Sequence, residues 1–499
     1  MIVLKNALIN KKKTNIIIDK GIIKKIGDKK KIEKNSLVID LKNKLVLPGL
    51  VDTHLHTLAL CKGNCTTLEL ETNEDEESIK EKIKKHLHDN DEKWIIVQKY
   101  CGDINGTNFL TKSFLDEIKT DKNIILVREC GHIGVINSNT IKELDLKENE
   151  YINLDTGVAK DNGLWQIIYN DKIFSQLKEQ YREILNKYVE AGLTSVATND
   201  FGFGVSNDLL FDTMIQLEKE KQLPLNMYHQ VKVNSLKDAK ESLKYFKKKT
   251  GMVRFLSYKI ISDGSLGAST ASMIEPYLNQ GDNCGQMLIM KEEIIKIVNF
   301  ANKHNIKVAI HVIGDNSLKT VLRAFKEAKK TKVKNQLIHC SLLYKGAAKL
   351  IKKLKLQVSY QPYFVNSDIN FIKERLDGKR LEYWQNCATL IKNKILVCGS
   401  SDSPVCDFNP FTGIEASCNR SVFKEQNISL KQAIKMYSEN AAKFLLNDKI
   451  GKIKKGMNAD LIVLDKDIYR IKKDEIKTIK PLLVIVNGKI VYNNLGLLK

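Results

Sequence analysis

Two histidines, His54 and His56, stand two residues apart where an apolar run ends, in the stretch LVLPGLVDTHLHT at residues 45–57. Along a strand alternate side chains share a face, so both imidazoles project the same way. Neutral imidazole is a favoured ligand for zinc and similar metals. A catalytic metal site needs about three protein ligands and one position left open for water. Taken alone, an HxH pair also fits two unrelated histidines, one buried against a carboxylate and one at the surface, so the weight rests on whether further ligands recur.

They recur, each after an apolar run. Residues 307–310 (KVAI) lead into His311 and residues 336–338 into His339. Residues 395–397 lead through Cys398 and Gly399 to Asp402, in VCGSSDSPV, and residues 255–258 lead into Lys259, in YKIISDGSLGA. Between these runs lie helical patterns at 292–304, 318–330 and 343–354, and strands alternating with helices predict βαβ units and a parallel sheet. Strand candidates at 193–197 (after a helix at 177–191 stopped by Gly192), 225–231 and 356–360 complete a set of about eight, the number of a TIM-like (β/α)8 barrel. The catalytic groups of that fold gather at the carboxyl ends of the strands, where these polar residues fall.

The order PGLVDTHLH (48–56), Lys259, His311, His339, Asp402 resembles the ligand order of the amidohydrolase superfamily, drawn from the first, fourth, fifth, sixth and eighth barrel strands. ECGHIGVINS (129–138), KIISDGSLGAST (259–270), HVIGD (311–315), VSYQPYF (358–364) and GSSDSPV (399–405) are similar to its YtcJ-like branch, amidohydrolase family 3. That branch includes exoenzyme-regulatory-protein-like and N-substituted formamide deformylase-like members, and the resemblance covers nearly the whole chain. It implies one or two divalent metal ions, zinc first. His54, His56 and Asp402 would hold one, His311 and His339 a second, and Lys259 would bridge them as an N-carboxylated lysine. An ammonium has no lone pair, so Lys259 can be a ligand only when modified or deprotonated; a lysine paired with Asp263 or with a substrate carboxylate is the other reading.

The implied reaction is hydrolysis of a non-peptide, amide-like carbon–nitrogen bond by metal-activated water. Asp402 would take the proton of the attacking water and pass it to the departing amine. The same ligands serve cyclic amidohydrolases and deaminases of nitrogen heterocycles, and fold alone does not separate these chemistries. A catalytically silent regulator is the reading from outside enzymology; all six ligand positions being filled weighs against it.

The interval between the first strand and the helix at 177 exceeds a simple βα loop. By resemblance it is an inserted lid-like subdomain, residues 60–175. His132, within it, would either face the substrate or be hydrogen-bonded inside the insertion. Gln361 and Tyr363, just past the seventh strand candidate, are further candidate substrate contacts. Gly264, Gly267, Gly314 and Gly399 read as tight-turn residues rather than as a phosphate loop.

The 499 residues suffice for a large barrel and a small second domain. Strand patterns at 2–8 and 16–26, turning at Asp19-Lys20-Gly21, match others at 461–464 and 484–492, turning at Asn487-Gly488. Both chain ends therefore form one β-sandwich, residues 1–47 and 448–499, around a barrel of residues 48–447. The net charge of +22 comes from lysines scattered as KK and KKK, without a basic stripe or interleaved aromatics. It reads as a solvated surface rather than a specific nucleic-acid site. Ten irregularly spaced cysteines and an amino terminus without a signal-peptide pattern predict a cytoplasmic protein with reduced thiols. No apolar stretch is long enough for a bilayer. The expected partners are a small-molecule substrate and, as is usual for the family, a second copy in a homodimer.

Overall fold

The computed structural model describes residues 1–27, 36–61, 65–71, 74–101, 110–128, 133–174, 176–248 and 251–496. They divide into two compact units, one of residues 1–60, 182–200 and 215–499, the other of residues 61–181 and 201–214.

The first unit is built on eight parallel strands: β1 (Leu50–Leu55), β2 (Leu193–Phe201), β3 (Asn226–Lys232), β4 (Val253–Ile261), β5 (Lys307–Val312), β6 (Gln336–His339), β7 (Gln357–Tyr360) and β8 (Leu396–Gly399). Each neighbours the next in sequence order. Every residue of β1 and β2 is buried, as expected of parallel strands covered on both faces. Hydrogen bonds close the seam between the last strand and the first: Thr53 Oγ1 donates to the Gly399 carbonyl (3.0 Å), Asp402 N–H to His54 O (2.9 Å) and His56 N–H to Ser403 O (2.8 Å). This is the TIM-like barrel, and the seam locks the HxH strand to the loop that carries Asp402.

Amphipathic helices follow the strands. Helix Lys291–Lys303 buries Ile294, Ile297, Val298 and Ala301, and helix Asp315–Glu327 buries Leu318, Val321 and Leu322, at the three- and four-residue spacing of one helical face. The helix expected at 343–354 is shorter, Ala347–Lys353. Its first residues serve another element: Leu343 N–H bonds Tyr383 O, and Gly346 takes a left-handed φ of 90° at the N-cap.

The chain ends form two four-stranded sheets. One comprises Ile2–Ile9, Lys12–Asp19, Ile22–Ile26 and Leu37–Asp40; the other comprises Val46–Pro48, Leu461–Leu464, Pro481–Val486 and Lys489–Asn493. Leu4, Ile16, Ile18 and Ile23 of the first share a core with Leu461, Val463, Leu483 and Ile485 of the second. Strands Leu37–Asp40 and Val46–Pro48 are absent from the sequence reading, because short runs interrupted by lysine and asparagine carry little periodicity.

The second unit holds a six-stranded sheet of its own. Cys65–Glu69, Trp94–Tyr100 and Asn123–Arg128 are parallel; Ile133–Ile136, Val158–Lys160 and Ile152–Asn153 continue it antiparallel. Ile79 and Ile83 of helix Glu76–Asp89 pack with Ile95, Val97, Ile124 and Leu126.

Candidate metal centre

Six of the singled-out side chains meet at the carboxyl ends of the strands. His54 comes from β1 and His56 from just past its end, Lys259 from β4, His311 from β5, His339 from the end of β6, and Asp402 from the loop after β8. The ligand atoms of His54, His56 and Asp402 all lie within 4.8 Å of one another. Asp402 Oδ1 is 3.2 Å from Nε2 of His54 and 3.2 Å from Nε2 of His56. The ring of His339 lies edge-on to that of His54 at 5.6 Å and to that of His311 at 4.6 Å. Lys259 Nζ is 3.1 Å from His54 Nε2.

Backbone geometry aims two of these groups. His339 and Asp402 have left-handed φ values of 70° and 59°. A non-glycine residue held there costs about 1–3 kcal/mol and clusters at functional sites. Asp402 is held by its N–H bond to His54 O, so the strained loop and the HxH strand are fastened to each other.

The hydrogen bonds behind the ligands set which nitrogen of each ring keeps its lone pair. Gln230 Oε1 accepts from His54 Nδ1 at 2.7 Å, the Asn199 carbonyl from His56 Nδ1 at 3.2 Å, and Gln361 Oε1 from His339 Nδ1 at 2.8 Å. The Gln361 amide is itself oriented, donating to Ser400 Oγ at 2.8 Å. In all three rings Nδ1 therefore carries the hydrogen and Nε2 the lone pair. For His311 the order is reversed: Nε2 donates to the Gly264 carbonyl at 3.0 Å, leaving Nδ1 as the lone-pair atom.

Electrostatics agree with neutral rings at His54, His311 and His339. Burial, then the neighbouring Lys259 ammonium, lower the pKa of His54 to about 3 and that of His311 to about 4; burial pushes His339 well below the usual imidazole value. Burial alone would raise the Asp402 carboxyl, yet His339, His54 and His56 outweigh it and hold it well below the ordinary carboxylate range. Asp402 Oδ1 and the Nε2 atoms of His54 and His56 thus converge at 3.2 Å on one spot. This nitrogen and oxygen donor set fits zinc or a similar divalent ion.

Lys259 is 2% exposed, and burial, opposed by Asp402, lowers its pKa to about 7. Asp263, the alternative partner considered for it, is committed elsewhere. Its carboxylate accepts backbone N–H groups of Gly314 (2.8 Å), Ser272 (3.1 Å) and Ile313 (3.2 Å), and lies 3.6 Å from His311 Nε2.

The remaining site candidates are placed differently. Gln361 is 1% exposed and its amide is used on His339 and Ser400, so it stands behind the ligands rather than facing a substrate. Tyr363 is 36% exposed and immediately precedes helix Phe364–Arg375 without a side-chain capping bond. His132 lies outside the described residues. Gly314 and Gly399 have no left-handed φ. They are required by close approach instead: a Cβ at Gly314 would lie 2.0 Å from Ser272 O, and one at Gly399 2.2 Å from the Tyr437 ring.

Sequence reading missed Gln230, Asn199 and Asp52. Asp52 takes the N–H of His54 and of Ser401 at 3.0 Å each, bracing both metal-facing segments. Its place two residues before His54 was the available signal. For Gln230 and the Asn199 carbonyl there was none, since they act across strand neighbours.

The chain matches the model of a protein family described as "Amidohydrolase family" over residues 37–492. It is 27% identical over 508 residues to YtcJ of Bacillus subtilis strain 168, a protein named as an amidohydrolase, covering 96% of this chain and 95% of that one. It is similar to the crystal structure of an uncharacterized metal-dependent hydrolase from Pyrococcus horikoshii, with TM-score 0.78 and 26% identity over 95% of this chain and 99% of the other. A 5-methylthioadenosine/S-adenosylhomocysteine deaminase of Dictyoglomus turgidum is 29% identical over 199 residues, 36% of this chain and 43% of its own length.

Proposed function

This chain belongs to the amidohydrolase family, and from that premise we propose that it is a metal-dependent hydrolase of non-peptide, amide-like carbon–nitrogen bonds. The observation that carries the reading is the convergence of His54, His56 and Asp402 within 4.8 Å, with His54 held neutral by burial and the Asp402 carboxyl held ionised. His54, His56 and Asp402 would hold one divalent cation, zinc first, and His311, His339 and Lys259 would be the residues to hold a second. A cation in such a site lowers the pKa of water towards neutrality and polarises a carbonyl.

The chain's own groups do the rest. Asp402, ionised at neutral pH, accepts a proton from water at its carboxylate and returns it to the departing amine nitrogen, the role of a positioned general acid and base. Burial strips Lys259 of its proton near neutrality, and the free amine can add to carbon dioxide, forming an N–C bond and releasing one proton, to give an anionic carbamate. Gln230, Gln361 and the Asn199 carbonyl keep the rings in the tautomer that presents Nε2.

A second reading, deamination of a nitrogen heterocycle, draws on the partial similarity to the Dictyoglomus turgidum deaminase. It uses the same residues on a ring carbon instead of an amide. Metal analysis of the purified protein, followed by a turnover screen of N-acyl, N-formyl and cyclic amides and of aminopurines, separates the two. Release of a carboxylate supports the amidohydrolase reading; release of ammonia from aminopurines alone replaces it with deamination. A protein that takes up no divalent metal overturns both.

A further inference from the structure

The opposite mouth of the barrel carries a different chemistry. A cleft of about 1060 Å³ opens at the amino-terminal ends of β5, β7 and β8, whose first residues Lys307, Gln357 and Leu396 line it. His311, His339 and Asp402 lie at the other ends of the barrel strands.

Six exposed lysines line this cleft: Lys332, Lys334, Lys352, Lys355, Lys394 and Lys443. The only acidic side chain among the lining residues is Asp448. Among the described residues none of the six lysines is ion-paired to a carboxylate. Some lysines elsewhere in the chain are, as Lys80 is with Glu117, Lys82 with Glu74 and Lys291 with Glu327. The ammonium groups therefore add to one another's field in a concave site, where partly low-dielectric walls strengthen it. Lys307, at the inner end, is satisfied by Gln357 Oε1 (2.9 Å) and Phe444 O (2.6 Å) and belongs to the floor. The lining contains no aromatic ring, so nothing stacks a nucleobase. Lysine is a point-charge binder of phosphate, and a cleft of this size accommodates a compact ligand.

We propose that this cleft is a binding site for a compact polyphosphate, recognised through its phosphates alone. Free inorganic polyphosphate and a phosphorylated small molecule present the same chemistry, and the probes are chosen to tell them apart.

The test is calorimetric titration of the full-length protein with inorganic tripolyphosphate and with ATP at low ionic strength, repeated on the double variants K355E/K394E and K12E/K13E. The second variant makes the same charge change on strand Lys12–Asp19 of the amino-terminal sheet. The expected result is one tripolyphosphate per chain, an affinity lowered at least about tenfold in K355E/K394E, and a change of no more than about twofold in K12E/K13E. ATP is expected to bind no tighter than tripolyphosphate; weaker binding of ATP assigns the site to free polyphosphate and equal binding to phosphates in either source, whereas ATP tighter by more than about twofold would overturn recognition through phosphates alone. The neutral variant K355Q/K394Q, expected to show an intermediate loss, carries the test if the charge reversal does not fold. Several weak equivalent sites, equal losses in both variants, or a single-stranded oligonucleotide that outcompetes tripolyphosphate would each overturn the proposal.

Discussion

Replacing Gln230 with leucine removes one acceptor from behind the metal-facing ligands and leaves the ligands themselves in place. Gln230 is fully buried and takes the Nδ1 proton of His54 at 2.7 Å. Leucine fills nearly the same volume, so packing changes little, but His54 loses the group that fixes its tautomer. In the metal-free protein the ring has an escape. It can move its hydrogen to Nε2 and donate to Asp402 Oδ1, 3.2 Å away. The expected loss of metal-free stability is therefore below about 1 kcal/mol, less than the about 1–3 kcal/mol of a stranded buried donor. Binding a metal reverses the tautomer and restores the full cost, so divalent affinity falls about 10–100-fold, or about 1.4–2.7 kcal/mol. Competition against a chromophoric chelator measures the affinity, and urea unfolding of the chelator-stripped protein measures the stability. Gln230→Glu keeps an acceptor and is expected to stay within about threefold of wild type. A Gln230→Leu affinity within about twofold of wild type, or an equal loss in both variants, refutes the tautomer argument.

Asp402→Asn removes the proton acceptor and is expected to lower turnover about 10²–10⁴-fold while circular dichroism stays unchanged; near-normal turnover sinks the proton-transfer role. Metal uptake by wild type is expected to slow in buffer stripped of carbon dioxide and to recover with bicarbonate, whereas Lys259→Met shows no such dependence. Equal uptake by wild type in both buffers rules out carboxylation. Burial lowers the Lys307 pKa to about 7, far from the catalytic groups. The unfolded chain then binds more protons than the folded one from about 7 up to the usual lysine value, so stability rises with pH across that window. In the metal-free protein this contributes about 2 kcal/mol between about pH 7 and about pH 9, a slope that Lys307→Met removes. Parallel denaturation curves for the two proteins at both pH values would contradict it.

Much of the scaffold was legible because its signals are local. β5 carries an apolar run that leads into His311, β1 follows an apolar run that leads to the HxH pair, and helices such as Lys291–Lys303 repeat apolar residues on one face. Those patterns follow from strand and helix geometry, which the chain dictates a few residues at a time. Strand Val46–Pro48 was not legible, since its three residues gain meaning only by pairing with Leu461–Leu464 from the far end of the chain. Gln361 shows the same limit at the site. Its type and position suggested a substrate contact, yet burial and the His339 ring claim its amide.

By itself the sequence determined which atoms could bind a metal, in what chain order, and on what kind of strand they would sit, because ligand chemistry and strand periodicity are properties of short segments. Only the tertiary structure decided which ring nitrogen faces the centre, that the Asp402 carboxyl is held ionised, that Lys259 gives up its proton near neutrality, and that six lysines share a cleft at the opposite mouth. Each of these depends on burial and on partners hundreds of residues away, and a field or a desolvation cost is a sum over everything nearby in space rather than in sequence.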